Sequence, residues 1–300
     1  MQQAKPEADR QLPLAGEIFL DHVGHFVRDP QAASDALARA GFAPTPPSVQ
    51  TNPDPAGGTA RPTGTGNVTA MLARGYLEVL FKTADTPLGQ ELDAALARYP
   101  GLHLAAFAVD DATDAHQRLR QQGFRVRPLV DMRRPVETDD GFATAAFTIA
   151  RVEPGEMREG RIQILTHRTE HAVWQRRWLS HPNGAIGLSG VIIAVADVEE
   201  TAARFARFTG RDAMSQGCGQ TILLDRGRID LFGVDEFARM LPELPIPSLP
   251  FIAAYRVRVG SLATIDDIAR QGGLRTRSFA GGTVAIFPAE LGVGAWLFEQ

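Results

Sequence analysis

Side chains on the last predicted strand of the first half of the chain are the first that could do chemistry. His167 lies four residues after Gln163 in this strand, so both side chains face the same side of a sheet. Because imidazole titrates near neutral pH, His167 could carry a proton to or from a substrate. The alternative is a structural role, in which a hydrogen bond from His167 holds down the following segment, residues 169–183.

Three arginines form a second group with chemical potential. Arg133, Arg134 and Arg151 lie in or beside the same predicted hairpin. A guanidinium binds carboxylate or phosphate through paired hydrogen bonds, so arginines gathered at the mouth of one site predict an anionic ligand. Solvation at the surface is the simpler explanation for any one of them.

The sequence lacks the motifs of several other kinds of site. Cys218 is the only cysteine, which excludes an intrachain disulfide and fits a reducing cytoplasm. The glycines at 64–66 and 217–219 lack the strand–turn–helix context of a phosphate loop or a dinucleotide fingerprint. We therefore expect no nucleotide cofactor.

Composition narrows the partners. The 300 residues carry a net charge of −4, and the basic residues are scattered, which argues against a nucleic-acid surface. No apolar run approaches the roughly 18 residues of a membrane span. The expected partner is a small-molecule substrate or ligand, bound by a cytoplasmic monomer or homodimer.

One supersecondary pattern repeats four times along the chain. Each copy has an apolar strand, a short amphipathic helix that ends at a glycine, and then a hairpin. The helical segments are residues 29–41, 111–123, 197–210 and 261–273, which end at Gly41, Gly123, Gly210 and Gly273. Such a repeat indicates an α+β protein of four βαβββ units built by duplication.

The segments between the repeats define the domains. We predict a disordered tail over residues 1–15, one domain over 16–168, a linker over 169–186 and a second domain over 187–300. The Pro-, Gly- and Thr-rich residues 44–66 predict an irregular loop, either a flap that orders over a ligand or a passive connector. Residues 131–141 predict a polar insertion.

The sequence resembles the vicinal oxygen chelate superfamily, which includes glyoxalase I, methylmalonyl-CoA epimerase, extradiol dioxygenases and the bleomycin-resistance binding proteins. The resemblance is carried by residues 20–23 (Leu-Asp-His-Val) on the first strand and residues 76–80 (Tyr-Leu-Glu-Val-Leu) on the last strand of the first unit. Residues 160–169 and 181–185 are similar to the bacterial glyoxalase-like domain branch. The resemblance implies that two βαβββ units form a half-open cup of eight strands.

The resemblance also implies a metal site in the first cup. Its four ligands would be His22, Glu78, His103 and Gln163, with His22 equivalent to His103 and Glu78 equivalent to Gln163. Two imidazoles, a carboxylate and an amide oxygen suit Zn²⁺, Ni²⁺, Fe²⁺ or Mn²⁺. The structural alternative is that each is an ordinary polar strand residue.

Three functions follow from this resemblance. The first is a metal-dependent lyase or isomerase that works through an enediolate, with Glu78 moving the proton. The second is an extradiol-type non-haem iron dioxygenase, and the third is a metal-free binding protein. Because Gly190 and Ala253 stand at the ligand positions of the second domain, that domain is expected to be degenerate and to wall the first cup.

Overall fold

The computed structural model describes residues 10–52, 58 and 61–300, and it contains the four predicted repeats. The first unit comprises β1 (Ile18–Phe26), α1 (Pro30–Arg39), β2 (Ser48–Asn52), β3 (Arg61–Met71) and β4 (Tyr76–Lys82). After α2 (Pro87–Arg98), the second unit comprises β5 (Gly101–Val109), α3 (Ala112–Gln121), β6 (Val130–Thr138), β7 (Gly141–Arg151) and β8 (Arg161–His167).

A short linker leads to the second half of the chain. It contains α4 (Glu170–Val173) and a single 3₁₀ turn (Arg176–Trp178). The third unit comprises β9 (Ala185–Val195), α5 (Val198–Thr209), β10 (Ala213–Gln216), β11 (Gly219–Leu223) and β12 (Arg228–Gly233), and α6 (Val234–Met240) follows it. The fourth comprises β13 (Phe251–Val259), α7 (Leu262–Gly272), β14 (Thr276–Phe279), β15 (Gly282–Ile286), a 3₁₀ turn (Ala289–Leu291) and β16 (Ala295–Glu299).

The helices of the four repeats begin and end within two residues of the predicted bounds, whereas α2, α4 and α6 lie outside the repeat pattern and were not predicted. In α1, the Asp29 carboxylate accepts hydrogen bonds from the backbone N–H groups of Gln31 and Ala32, both at 3.0 Å, and Pro30 occupies the first turn. Ala33 and Leu37 are buried at helical spacing. Gly41 then adopts a φ of 77°, which an L side chain rarely does, and so ends the helical run.

The strands form two eight-stranded sheets with the same topology. The first runs β2-β3-β4-β1-β5-β8-β7-β6, and the second runs β10-β11-β12-β9-β13-β16-β15-β14. In each sheet the first strands of two units pair antiparallel at the centre, and each pairs parallel with the last strand of its own unit. The chain is therefore an α+β protein of four βαβββ units in two paired domains, as predicted.

The two sheets share an apolar core. Val23 and Phe107 of the first sheet belong to the same buried cluster as Val191 and Tyr255 of the second. Along β5, Leu104 and Ala106 alternate with Ala105 and Phe107 and so face the other side of the sheet, where they belong to a different cluster under α2. The first sheet therefore has one face against the second domain and an opposite face that forms the concave cup.

Three predictions about irregular segments are wrong where the structure describes them. Residues 48–52 and 61–66 are not loop but strand, because β2 and β3 pair and the Thr65 hydroxyl donates to the Gln50 amide oxygen at 2.7 Å. The rest of the predicted loop includes residues 53–57, 59 and 60, which lie outside the described residues. Residues 130–138 form the edge strand β6, whose exposed polar residues resemble those of an insertion.

The N-terminal tail is the third correction. Residues 1–9 lie outside the described residues, but Gln11 is buried, and the backbone carbonyls of Arg10 and Gln11 accept hydrogen bonds from Arg226 in the second domain. The polar sequence of the tail predicts disorder, but it does not show this long-range contact with the second domain. No helix in the described ranges is long and apolar enough to cross a membrane.

Candidate active site

A β-bulge in each central strand of the first sheet decides which side chains enter the cup. Asp21 in β1 and His103 in β5 are each left out of the pairing between these strands. The residues that follow them, His22 and Leu104, occupy equivalent positions and both line the cup. An extra residue of this kind redirects the side chains around it, an effect that period-two alternation does not predict.

The first bulge brings two neighbouring side chains, Asp21 and His22, into hydrogen-bond contact. His22 Nδ1 donates to Asp21 Oδ2 at 2.7 Å, and His167 Nε2 donates to Asp21 Oδ1 at 3.0 Å. Burial by itself raises the pKa of the Asp21 carboxyl, but the charges and hydrogen bonds of the two histidines outweigh burial and hold that pKa well below its ordinary value. Asp21 therefore fixes the ring orientation of His22 and leaves its Nε2 directed away from the carboxylate.

Glu78 lies beside His22 on the adjacent strand, and among the described residues it is the only carboxylate that lines this cup. Its Oε2 is 3.6 Å from His22 Nε2, and its Oε1 accepts a hydrogen bond from Asn67 Nδ2 at 2.6 Å. Tyr76, which pairs with His22 across the strands, stacks on the imidazole with the ring centroids 4.3 Å apart. The sequence analysis named Glu78 as a site residue but not Asp21, Asn67 or Tyr76, although an asparagine in an apolar strand is itself an unusual signal.

The second unit contributes an amide and guanidinium groups instead of an acid. Gln163 lies beside Arg151 on the neighbouring strand, and its Oε1 accepts a hydrogen bond from Arg151 Nε at 3.0 Å. Arg134 and Arg161 line the same pocket. Burial first, and the charge of Arg161 second, lower the pKa of Arg151 to about 9. The site therefore has a carboxylate–imidazole wall facing an arginine-rich wall.

His103 does not join His22, so the expected equivalence of these two histidines is wrong. Its Nε2 donates to the Tyr99 carbonyl oxygen at 2.7 Å, its buried Nδ1 has no hydrogen-bond partner among the described residues, and burial lowers its pKa to about 4. The bulge makes His103 the counterpart of Asp21, and it makes Leu104 the counterpart of His22. Within the described ranges, no three His, Cys, Asp or Glu side chains gather as a metal-binding group.

Arg133 and His167 also lie outside the pocket. Strand alternation in β6 turns Arg134 inward and leaves Arg133 exposed on the other face, so the predicted role of Arg133 in the mouth is wrong. His167 is on the inner face but is covered by Trp174 of the linker, with the ring centroids 4.6 Å apart. The hydrogen bond to Asp21 therefore links His167 to the site. Arg161, which the sequence prediction missed, takes the place expected for Arg133.

Two cavities meet at the arginine-rich wall. The inner cavity, beside His22 and Glu78, measures about 40 Å³. The outer cavity, between α2 and residues 151–162, measures about 440 Å³ and includes His103 in its wall. Arg151 and Arg161 line both cavities, so these two guanidinium groups stand between the carboxylate–imidazole pair and the larger space.

The second sheet repeats the bulges without the donors. Ser189 and Ala253 are the extra residues at the equivalent places, a third irregularity lies at Ile186, and Gly190 takes the place of His22. Asp230, the counterpart of Glu78, is buried and bound by Arg228 at 3.2 Å and Arg256 at 3.0 Å. Its carboxylate is therefore neutralised within the domain.

The profile of one sequence family spans the first domain and continues into the second. It carries the description "Glyoxalase-like domain" and matches residues 20–209, well over half of the chain. The chain belongs to the glyoxalase-like domain family, within the vicinal oxygen chelate superfamily. No curated protein matches the sequence.

Solved structures share the arrangement of the glyoxalase-like domains over nearly the whole chain. A hypothetical protein from Staphylococcus aureus superposes with a TM-score of 0.62 at 10% identity, covering 94% of this chain and 98% of the other. The Mn(II)-bound glyoxalase from Novosphingobium aromaticivorans gives 0.54 at 13% identity, covering 96% and 83%. A mutant 4-hydroxymandelate synthase from Streptomyces coelicolor gives 0.51 at 14% identity, covering 95% and 93%. At these identities the likeness concerns the fold.

Proposed function

We propose that this glyoxalase-like protein is an enzyme of lyase or isomerase type that moves a proton on a small, oxygenated, anionic substrate. The observation that carries the proposal is the buried pair of His22 and Glu78, 3.6 Å apart, which faces guanidinium groups across the inner cavity. Proton transfer next to a carbonyl needs a positioned base and a group that stabilises the developing negative charge. The two walls of this cavity offer both.

Each side chain has a distinct role in this proposal. Glu78 is the base, since the hydrogen bond from Asn67 holds one of its oxygens and leaves the other beside His22. His22 exchanges the proton with Glu78 or with the substrate oxygen, and Asp21 maintains its orientation. Arg151 binds the anionic group of the substrate. His167 is a positioning residue that acts on His22 through Asp21.

A divalent cation, such as Zn²⁺, Ni²⁺, Fe²⁺ or Mn²⁺, fits part of this donor set. His22 and Glu78 would hold it in place of the proton that they otherwise exchange. Their separation of 3.6 Å is close to that of two donors on one ion, and Asp21 orients the imidazole as carboxylates do behind metal-bound histidines. The Gln163 oxygen would join them once it is released by Arg151. When bound, the cation would act as a Lewis acid toward adjacent substrate oxygens.

The alternatives differ in the donors that they need. An extradiol-type dioxygenase uses two histidines and one carboxylate, but among the described histidines only His22 lines the pocket beside Glu78. A metal-free binding protein remains the second candidate, because Leu104 stands where a second metal-binding histidine would stand. We also propose that the protein acts in the cytoplasm, as a monomer or a homodimer.

Hydrogen exchange into substrate carbons tests the proposal. The protein is incubated in D₂O with small 2-oxo acids, 2-hydroxy acids and the thiol hemithioacetals of methylglyoxal, and NMR follows the loss of the C–H signal. Glu78→Gln should slow exchange by about 10²- to 10⁴-fold, the usual contribution of a general base. Glu137→Gln on the exposed face of β6 is the matched control. A Glu78→Gln rate equal to that of the wild type would refute the role of Glu78. If none of the compounds exchanged hydrogen, the result would favour the metal-free binding protein.

A further inference from the structure

The outer cavity is built to hold something larger than the inner one. Its volume of about 440 Å³ lies in the range of small-molecule sites, which is about 300–1,000 Å³. Apolar side chains form one part of its wall, including Phe26, Ala95, Met157 and Ile162. An organic body of moderate size would replace water against this surface.

Positive charge dominates the rest of that wall. Five arginines line the cavity, namely Arg98, Arg127, Arg151, Arg158 and Arg161, against the two carboxylates Glu91 and Glu153. Glu91 binds Arg127 at 2.7 Å and Arg161 at 3.4 Å, and Glu153 lies 3.5 Å from Arg127. The two acids are thus already shared between two of the arginines.

Three guanidinium groups have no acidic partner within salt-bridge distance in the described part of the chain. Arg98 donates to the carbonyl oxygens of Arg158 and Pro250, Arg151 donates to the Gln163 amide, and the Arg158 guanidinium is exposed at the rim. Arg151 is the deepest of them and the one that also reaches the inner cavity. A guanidinium that is shielded from water and has no carboxylate partner is a strong binding site for an anion, to which it donates hydrogen bonds.

We propose that the outer cavity binds the apolar body of an organic carboxylate, whose carboxylate group is held by Arg151 where the two cavities meet. This inference rests on the proposed function, because it names the substrate class for the Glu78 site. The carbon that joins the carboxylate to the apolar body would then lie where the two cavities meet, with His22 and Glu78 on the inner side of Arg151. The apolar part would lie along Phe26, Met157 and Ile162.

Binding of three ligands with one chain length and different charges tests the inference. Isothermal titration calorimetry compares octanoate, octan-1-ol and octylamine with the full-length protein. Octanoate should bind at least tenfold more tightly than either of the others. Arg151→Met should lower octanoate affinity at least tenfold, and Arg133→Met, on the exposed face of β6, should change it less than twofold.

A second variant addresses the cavity without touching a buried charge. Ala94 lies on the exposed face of α2 and lines the outer cavity, so Ala94→Trp should fill the space and weaken octanoate and octan-1-ol alike, while the fold is kept. Equal binding of the three ligands, no octanoate binding at millimolar concentration, or unchanged affinity in both variants would overturn the inference.

Glu78→Gln separates this inference from the proposed function. The variant should lose hydrogen exchange and keep octanoate affinity within threefold of the wild type. Normal hydrogen exchange without selective octanoate binding would refute the outer cavity alone. Selective octanoate binding without any Glu78-dependent exchange would refute the proposed chemistry and leave the cavity assignment standing.

Discussion

The Asp21 carboxylate is the most informative single position at which to perturb the site. It is fully buried and accepts hydrogen bonds from two imidazoles, at 2.7 Å from His22 and 3.0 Å from His167. In Asp21→Asn the new side chain keeps one acceptor oxygen but turns an N–H₂ group toward the other imidazole. One of the two rings must then change tautomer or lose its partner.

The expected cost follows from the kind of hydrogen bond that is lost. A hydrogen bond to a charged group contributes about 1.5–3 kcal/mol, and a buried polar group left unsatisfied costs about 1–3 kcal/mol. Because the asparagine oxygen retains one of the two bonds, we expect Asp21→Asn to lower the free energy of unfolding by about 2–4 kcal/mol. The exposed Asp140, which has no ion pair with any described residue, serves as control, and Asp140→Asn should stay within about 0.5 kcal/mol of the wild type.

The pH dependence gives an independent check with a defined sign. The folded-state pKa of Asp21 lies below its ordinary value, so its stabilisation is present above the unfolded pKa of about 3.9 and is lost as the pH falls toward the folded pKa. The gap between the wild type and Asp21→Asn should therefore stay constant from pH 7 to 5 and narrow below about pH 4.

Urea unfolding followed by circular dichroism measures both quantities. The midpoints are converted to free energies with the slope of each transition, at pH 7, 5, 4 and 3. A variant within 0.5 kcal/mol of the wild type at pH 7 would refute the assignment of Asp21 as a charged acceptor for two histidines. A gap that does not change between pH 5 and 3 would refute the ionised state.

Three further predictions follow from the placement of the histidines. Metal analysis of protein purified without chelator should show a severe loss of any bound divalent ion in His22→Ala and no change in His103→Ala or Asp230→Ala. A large loss in His103→Ala would instead support the ligand set expected from the sequence, which includes His103. Leu104→His should raise Zn²⁺ affinity at least tenfold in calorimetry, since it adds an imidazole at the counterpart of His22, and equal affinities would contradict that equivalence. Burial at the contact with the second domain lowers the pKa of His25 to about 4, so acidification from pH 6.5 to 4 should lower the free energy of unfolding by up to about 3 kcal/mol through this group. In His25→Leu, urea unfolding should show a smaller loss of stability over this pH range. An equally large loss in the variant would contradict the prediction.

The repeated helices and strands could be predicted from local patterns. Each amphipathic helix is capped by a side chain that precedes it, Asp29 in α1 and Asp197 in α5, and ends near a glycine with positive φ. The apolar run of β13, Phe251–Val259, is likewise bounded in the sequence by a proline and a glycine. Such signals are local, and neighbouring residues in the sequence create them.

The same local logic located half of the candidate site. Glu78 and Gln163 lie in regular stretches of strand, where alternation fixes the side that each side chain faces, and both line the cup. His103 does not, because a bulge adds one residue to β5 and moves the counterpart of His22 to Leu104. A bulge is a property of the pairing between two strands, so neither strand shows it alone.

The remaining features depend on contacts between distant parts of the chain. β6 has the exposed, charged sequence of a loop, and it is a strand because β7 pairs with it. The outer cavity exists only because α2 packs across the cup from residues 151–162, which brings Arg98 and Met157 to one space. The sequence by itself therefore determined the repeated units and the identity of His22 and Glu78. Only the tertiary structure decided which side chains meet them, since strand pairing and packing act between residues that the sequence keeps far apart.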